Sequence, residues 1–212
     1  MYISPQVLGK MTDQIFSHRD TEGAKLGMWL FLFTEILLFG GMFLLYAIYR
    51  TKHAAEFHKA AEDLSRLAGT INTLILLTSS LTMALAINEV RKGNRERSLV
   101  FQGLTILLGT AFLVVKYFEW SSKIGHGIFP NSPELMKLAK GEMLYYGLYF
   151  VMTGLHGVHV LIGLGVLVYI MLGTFAGKIN AGNFIQLENS GLYWHLVDTI
   201  WVYLFPLFYL IT

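Results

Sequence analysis

The sequence predicts an all-α protein, a polytopic membrane helical bundle with five transmembrane helices. Of its 212 residues, 54% are hydrophobic and only 14% are charged, whereas about 25% of the residues in an ordinary soluble domain are charged. The apolar residues also gather in runs longer than about 18 residues, the length that a helix needs to cross the hydrocarbon core of a membrane. The predicted spans are about 26–49, 69–89, 99–120, 143–172 and 190–211.

Residues 1–24 form a predicted polar N-terminal segment, and residues 25–212 form the predicted five-helix transmembrane domain. The polar segment lacks an apolar core followed by small residues, the pattern of a cleaved signal peptide, so we expect the first helix to direct insertion. Between the first two spans, Phe57, Ala61 and Leu64 recur three and four residues apart. This spacing predicts a short interfacial or solvent-exposed helix.

The composition excludes several classes of function. The chain has no cysteine, which excludes disulfides, thiolate metal sites, iron–sulfur clusters and a cysteine nucleophile. Its formal net charge of +2 is too small for a nucleic-acid surface, so no nucleic-acid partner is expected.

The basic residues beside the predicted helices are nearly balanced between the two sides of the membrane. The short connection between the second and third spans carries four of them, Arg91, Lys92, Arg95 and Arg97. Basic residues in short loops favour the cytoplasmic side, so this connection predicts a cytoplasmic N-terminus.

Ionisable side chains within the predicted spans are the candidate functional residues. Each costs at least about 2–3 kcal/mol in hydrocarbon, so such groups normally face the bundle interior, a partner or a water-filled cavity. Glu35 lies about ten residues into the first helix, near the middle of the bilayer. We predict a neutral or hydrogen-bonded acid that joins two helices, with a proton-relay or lipid-headgroup role as the alternative.

His156 and His159 lie three residues apart and share one helix face. A haem bundle needs histidines on separate, facing helices, and a di-iron bundle needs repeated Glu-x-x-His pairs; neither pattern occurs in this sequence. We therefore predict helix–helix hydrogen bonds for the two histidines and no metal site. Gly154 and Gly157 flank His156 and are predicted to let a neighbouring helix pack closely.

Two further pairs lie three residues apart. Asp198 is predicted to accept a hydrogen bond from His195 on the same helix face, and no nucleophile or substrate pocket marks either as catalytic. Lys116 and Glu119 lie near the end of the third span and are predicted to form an anchoring ion pair, in which Lys116 extends to the membrane interface.

Five segments carry a family resemblance: KLGMWLFLFTEILLFGG at 25–41, NTLILLTSS at 72–80, KYFEW at 116–120, TGLHGVHV at 153–160 and YWHLVDTIW at 193–201. In this order they resemble the cytochrome c oxidase subunit III family of haem-copper respiratory oxidases, in its short five-helix form. The family's larger members have two additional helices before the segment that begins here near Lys25. Lys116 stands where the family usually has glutamine.

The resemblance implies a redox-inactive subunit of a proton-pumping terminal oxidase in the bacterial inner membrane. It implies no catalytic residue and no cofactor in this chain, bound phospholipid, and haem and copper in the partner catalytic subunit I, with subunits II and IV as further partners. Family members support oxygen access, proton uptake and the stability of the catalytic subunit. The corresponding intramembrane polar positions, related to proton uptake or lipid, are Glu35, Glu119, His156, His159, His195 and Asp198.

Three alternatives are weighed against this interpretation. A free-standing transporter is disfavoured because the sequence shows no inverted repeat and no pair of Gly/Pro-broken helices. A quinone- or haem-binding dehydrogenase subunit is disfavoured by the histidine spacing. A nitric oxide reductase-associated homologue shares much of the pattern and remains open, as does the electron donor, a cytochrome c or a quinol.

Overall fold

The computed structural model describes residues 5–211, and the side chains of residues 22–211. This part of the chain forms seven helices and no β-strand, so the all-α prediction is confirmed. The helices are α1 (Pro5–Lys52), α2 (Ala54–Glu62), α3 (Arg66–Arg91), α4 (Arg95–Gly125), α5 (Pro133–Met136), α6 (Lys140–Phe175) and α7 (Ile185–Tyr209).

The chain divides into two compact units, Met1–Leu37 and Leu38–Thr212, and the division falls inside α1. The first unit contains Glu35, and the second contains all the other predicted site residues. Most side chains of the predicted polar segment 1–24 lie outside the described residues, so the predicted boundary after residue 24 stays a prediction.

Four helices are long and apolar enough to cross a membrane: Glu22–Lys52, Arg66–Arg91, Arg95–Gly125 and Lys140–Phe175. Each extends beyond its predicted span, because a helix keeps its backbone hydrogen bonds after its sequence turns polar. The fifth predicted span corresponds to α7, which has 25 residues but is not among the four. Its apolar residues alternate with tyrosine, tryptophan, His195 and Asp198, which lower its mean hydropathy.

Helices α3, α4, α6 and α7 form a four-helix bundle in which α3 packs on α4, α4 on α6, α6 on α7 and α7 on α3. Polar contacts connect α3 with α4: the Ser98 hydroxyl donates to the Ala86 carbonyl at 2.8 Å, and the Thr82 and Thr105 hydroxyls lie 2.8 Å apart. Small hydroxyl residues are typical of membrane helix interfaces because they let backbones approach and bond across the contact.

The turn between α3 and α4 is short because Gly93 adopts the left-handed conformation, with φ at +81°. Its N–H donates to the Val90 carbonyl, and the Asn94 N–H donates to the Glu89 carbonyl, both at 2.9 Å. These bonds satisfy the last carbonyls of α3, as a glycine-containing helix end usually does. The Asn94 amide also donates to the Glu89 carboxylate at 2.8 Å, which fixes the turn.

The predicted short helix after the first span is α2, and its apolar side faces the protein. Phe57 is fully buried, with its ring centroid 5.5 Å from that of Tyr46 and 5.4 Å from that of Tyr145. On the outer side, Lys59 donates to Glu142 at 2.7 Å. This hydrogen bond, together with the charge of Glu142, raises the pKa of Lys59 above its ordinary value.

Trp194 of α7 occupies a slot between two glycines of neighbouring helices. A Cβ atom added at Gly109 of α4 would lie 2.6 Å from Trp194 Cη2, and one added at Gly163 of α6 would lie 3.0 Å from the same ring. The indole N–H donates to the Ser79 hydroxyl of α3 at 3.1 Å. Trp194 therefore joins three helices to α7 at one level of the bundle.

Gly109→Ala is expected to lower the free energy of unfolding by about 1–3 kcal/mol, the usual cost of overpacking a core. The new methyl group would overlap the Trp194 ring. Gly103→Ala on the same helix is the matched control, because a Cβ atom there meets nothing within 4 Å; alanine is favoured over glycine in helices by about 1 kcal/mol. Denaturant titration of the full chain in detergent micelles measures both, and equal stabilities of the two variants would contradict the packing.

Candidate functional site

A polar cluster lies inside the bundle where α4, α6 and α7 meet, and we name its members Lys116, Glu119, Tyr149 and Tyr209 the Lys116 cluster. Lys116 Nζ lies 3.3 Å from Glu119 Oε1, 3.1 Å from the Tyr149 hydroxyl and 2.7 Å from the Tyr209 hydroxyl. Both tyrosine hydroxyls also donate to Glu119 Oε1. The predicted ion pair is thus present, within a larger hydrogen-bonded group.

The predicted position of Lys116 at the membrane interface is wrong. Its side chain is 9% exposed, and its ammonium group lies 5.1 Å from the ring centroids of Trp201 and Tyr149 and 5.3 Å from that of Tyr209. Rings at these distances attract a cation, most strongly where water is excluded. Because the cluster supplies acceptors and aromatic faces, Lys116 is accommodated in the interior and does not extend outward.

A sequence signal for this inward position exists in α4. Its buried residues are spaced alternately four and three apart, the spacing of one helix face, and they are Ser98, Gln102, Thr105, Gly109, Phe112 and Lys116. This face is composed mainly of small and polar residues. A hydropathy window averages over all faces, so it does not detect such a stripe.

His156 is buried beside the Lys116 cluster, with 1% of its surface exposed. Its ring centroid lies 5.5 Å from that of Phe112 and 5.4 Å from that of Trp201. Among the described residues, neither ring nitrogen has a hydrogen-bond partner. The predicted helix–helix hydrogen bond of His156 is therefore wrong, because its neighbours at this level are aromatic rings.

His159 lies one turn further along α6 in different surroundings. Its Nδ1 atom lies 2.7 Å from the carbonyl oxygen of Leu155, so Nδ1 is the donor and the bond stays within the helix. The imidazole also meets the Phe39 ring at a centroid distance of 5.3 Å. The two histidines thus lie on the same helix but contact different groups.

His195 does not pair with Asp198, so that prediction is wrong. The His195 Nδ1 atom lies 2.7 Å from the hydroxyl of Ser80 on α3, which connects the two helices. Ser80 lies close to the Asp198 carboxyl as well, but neither carboxyl oxygen has a partner with hydrogen-bond geometry in the described part of the chain. His195 therefore bonds to Ser80 on a neighbouring helix and not to Asp198 on its own helix.

Gly154 and Gly157 border an apolar groove between α4 and α6 with a volume of about 450 Å³. A Cβ atom at Gly154 would lie 3.0 Å from Trp120 Cη2, whereas one at Gly157 would meet nothing within 4 Å. Gly154 therefore leaves room for the Trp120 ring, and Gly157 leaves room for the groove. The groove also reaches Lys116.

Glu35 is half-buried on α1, within the unit Met1–Leu37. The neighbouring Thr34 hydroxyl donates to the Phe31 carbonyl at 2.7 Å, a bond typical of threonine in membrane helices because it satisfies the hydroxyl locally. The Lys116 cluster, the histidines and Asp198 belong to the other unit.

Residues 22–211 contain no group of three or more His, Asp and Glu side chains that could hold a metal ion. The chemistry of the Lys116 cluster agrees with that finding, because a buried ammonium group repels a cation from the Glu119 carboxylate.

Comparison with known proteins finds one family model, described as cytochrome c oxidase subunit III, which matches residues 9–212. Cytochrome c oxidase subunit 3 of Thermostichus vulcanus is 30% identical over 92% of this chain and 91% of that protein. The cytochrome bo(3) ubiquinol oxidase subunit 3 of Pseudomonas aeruginosa is 28% identical over 93% of this chain and 90% of that protein. The heme-copper oxidase subunit I+III of Aeropyrum pernix is 30% identical over 87% of this chain and 22% of that protein.

Proposed function

Because the chain belongs to the cytochrome c oxidase subunit III family, we propose that it is subunit III of a terminal oxidase, an oxygen reductase of the aerobic electron transport chain. The match of the family model over residues 9–212 carries this proposal. The resemblance seen in the sequence is confirmed. The relatives compared above are oxidase subunits, so the nitric oxide reductase and transporter alternatives gain no support.

A redox-inactive role is supported by the chemistry of the buried polar residues. Lys116, Glu119 and the two tyrosines of their cluster bond to one another, while His156 packs between aromatic rings. Haem coordination needs a histidine or other ligand facing a cavity of haem size, and these side chains do not provide one. We propose that haem and copper belong to partner subunits.

The partner that we propose is the haem-copper catalytic subunit I, with subunits II and IV as further partners. The Aeropyrum pernix relative is named subunit I+III, and this chain matches 22% of its length. A name that joins both subunits supports contact between the corresponding chains. On α1, large apolar side chains are more than half exposed and are available to lipid or to a partner: Leu26, Trp29, Leu30, Phe33, Ile36, Leu37, Leu44 and Ile48.

We propose that α7 is the fifth transmembrane helix, in a bacterial inner membrane with the N-terminus in the cytoplasm. A helix of 25 residues is about 37 Å long, which exceeds a hydrocarbon core of about 30 Å. The polar groups of its inner face, Asp198 and the indole of Trp194, are buried in the bundle. They therefore do not meet lipid.

We propose that the subunit binds phospholipid. We also propose that it supports oxygen access, proton uptake and the stability of the catalytic subunit in the complex. The apolar groove between α4 and α6 supports the lipid proposal, since its volume of about 450 Å³ suits part of an acyl chain and its wall at Gly157 is open.

Purification of the tagged full chain from its native membrane in mild detergent tests the proposed function. We expect a larger haem-containing chain to copurify, and we expect the separated chain to show no haem absorbance and no stoichiometric metal. Glu35→Ala should leave the haem spectrum of the complex unchanged while lowering turnover or stability. Haem or bound metal that stays with the separated chain would overturn the proposal.

A further inference from the structure

Two groups of tyrosines that donate to a carboxylate lie next to each other near the start of α6. Tyr149 and Tyr209 both donate a hydrogen bond to Glu119, and the Tyr146 hydroxyl donates to the Asp63 carboxylate at 2.9 Å. Tyr146 and Tyr149 are three residues apart on α6 and are therefore neighbours on one helix face. Each of the three phenols thus has a base in contact with its proton.

Elsewhere in the bundle, several buried polar contacts use aliphatic hydroxyls and amides. The Gln102 amide donates to the Thr174 hydroxyl at 3.2 Å, and the Thr82 and Thr105 hydroxyls lie 2.8 Å apart. These groups connect helices, but they do not lose an electron to a biological oxidant. A phenol makes the same hydrogen bond and can also lose an electron. The tyrosines at this level therefore add a chemical property that a purely structural contact does not need.

The carboxylates matter because a buried tyrosine needs a partner for its proton when it is oxidised. Loss of the electron alone leaves a positively charged ring, which is costly in an apolar interior. A hydrogen-bonded carboxylate takes the proton in the same step, and the ring becomes a neutral radical. Tyr149 and Tyr209 are at most 1% exposed, so bulk water does not reach them. Glu119 is therefore the base available to both.

Lys116 favours oxidation of the tyrosines over oxidation of the neighbouring tryptophan. Its ammonium lies 5.1 Å from the centroid of the Trp201 ring, and this positive charge opposes a second one on the indole. The Trp201 N–H donates to the Thr73 hydroxyl at 3.1 Å, which does not accept a proton from it. The Tyr209 ring, 6.2 Å from that of Trp201, stays uncharged once its proton has moved to Glu119. Lys116 Nζ, 2.7 Å from the Tyr209 hydroxyl, still donates to the oxygen of the radical.

We propose that these tyrosines form an electron relay, which carries oxidising equivalents from the Tyr149–Tyr209 pair to Tyr146. First, Tyr149 or Tyr209 loses one electron to an oxidant and its proton to Glu119. Next, Tyr146 gives one electron to that radical and its own proton to Asp63, while Glu119 returns its proton and the first phenol is restored. A soluble reductant then gives one electron to the Tyr146 radical, which regains its proton from Asp63. Each proton returns to the phenol that released it, so the relay needs no proton path.

The two ends of the relay differ in their surroundings. At the outer end, Asp63 is exposed, and its carbonyl accepts a hydrogen bond from the Lys123 ammonium at 2.8 Å, which fixes the segment beside Tyr146. At the inner end, the oxidant is a one-electron acceptor of high potential, a class that includes haem centres acting on oxygen. Only this source of oxidant rests on the proposed function, since all the relay residues belong to this chain.

Photo-oxidation of the full chain in nanodiscs tests the inner pair without any partner subunit. The probe is a ruthenium tris-bipyridine complex, oxidised by a laser flash with persulfate as the electron acceptor, and freeze-quench electron paramagnetic resonance detects the radical. We expect a persistent tyrosyl signal, most of which is lost when Tyr149→Phe and Tyr209→Phe are combined. Tyr169→Phe on the same helix is the control, because Tyr169 is 69% exposed, and it should keep the signal. Equal persistent signals in the unaltered chain and the double variant would overturn the proposal.

Glu119→Gln tests the base, because glutamine keeps an oxygen acceptor for both tyrosine hydroxyls but does not take their proton. We expect the persistent radical to form at least about 100-fold more slowly, since a positioned base contributes about 10²–10⁴-fold to a rate. Circular dichroism verifies that the variant is folded, and the double phenylalanine variant, which keeps the ion pair, decides the proposal if it is not. A purely structural Glu119 would leave the rate of radical formation unchanged, and that result would contradict its role.

Tyr146→Phe tests the outer step, because phenylalanine keeps the ring but cannot pass on the electron. The inner radical should form at an unchanged rate and decay severalfold more slowly when ascorbate is added. Tyr145→Phe is the matched control: the Tyr145 ring lies 5.4 Å from that of Tyr146, but its hydroxyl donates to the Phe208 carbonyl, which is not a base. Identical decay in the unaltered chain and Tyr146→Phe would overturn the relay.

Discussion

Glu119→Ala is expected to lower the free energy of unfolding by about 3–5 kcal/mol, the usual cost of removing one partner from a buried ion pair. The substitution leaves the Lys116 ammonium, whose side chain is 9% exposed, without a carboxylate. The two cluster tyrosines and Trp201 remain close to the ammonium, but hydroxyls and ring faces compensate a buried charge only in part. Denaturant titration of the full chain in micelles measures the loss.

Two controls separate the buried charge from general damage. The double variant Lys116→Met with Glu119→Leu removes both charges and should recover most of the lost stability, because apolar replacement of a whole buried pair is often neutral. Glu134→Ala removes an exposed partner of Lys137 and should cost no more than about 1 kcal/mol. A loss for Glu119→Ala no larger than that for Glu134→Ala would mean that the cluster carries no buried charge.

Trp194→Ala is expected to destabilise the bundle by about 3 kcal/mol, the lower end of the range for replacing a core tryptophan with alanine. The ring is fully buried between Gly109 and Gly163, and its removal leaves a cavity at the contact of four helices. The lower end applies because lipid, unlike water, solvates apolar surface that separates, so the loss consists mainly of packing contacts.

Trp194→Phe should recover part of this loss by filling part of the slot, although it removes the hydrogen bond to Ser79. Tyr169→Ala on α6 is the exposed control, because 69% of that residue is exposed, and it should change stability by less than about 0.5 kcal/mol. The same denaturant titration compares the three variants. If Trp194→Ala and Tyr169→Ala cost the same, the glycine slot does not hold the bundle together.

Much of the fold follows from local sequence. The apolar runs locate four helices that can cross a membrane, and the spacing of Phe57, Ala61 and Leu64 locates α2. The ion pair of Lys116 and Glu119 was also predictable, since residues three apart on a helix are neighbours. These features depend on the periodicity and composition of one segment at a time.

The environment of each polar side chain was less predictable. His195 bonds to Ser80, which precedes it by 115 residues, and this contact exists only because α7 packs on α3. The spacing of two residues along one helix cannot decide whether a side chain bonds to a partner on the same helix or to one on a neighbouring helix. The same reason explains why both ring nitrogens of His156 lack the bond that its position suggested.

The sequence by itself determined the helical membrane character of this protein and its family, because hydropathy and short motifs are local properties of the chain. Only the tertiary structure decided which groups Lys116 meets inside the bundle, where Tyr149, Tyr209 and Trp201 surround its ammonium. Those three residues lie on two other helices. The desolvation cost of a buried charge is offset only when separate segments of the chain bring acceptors and ring faces to it.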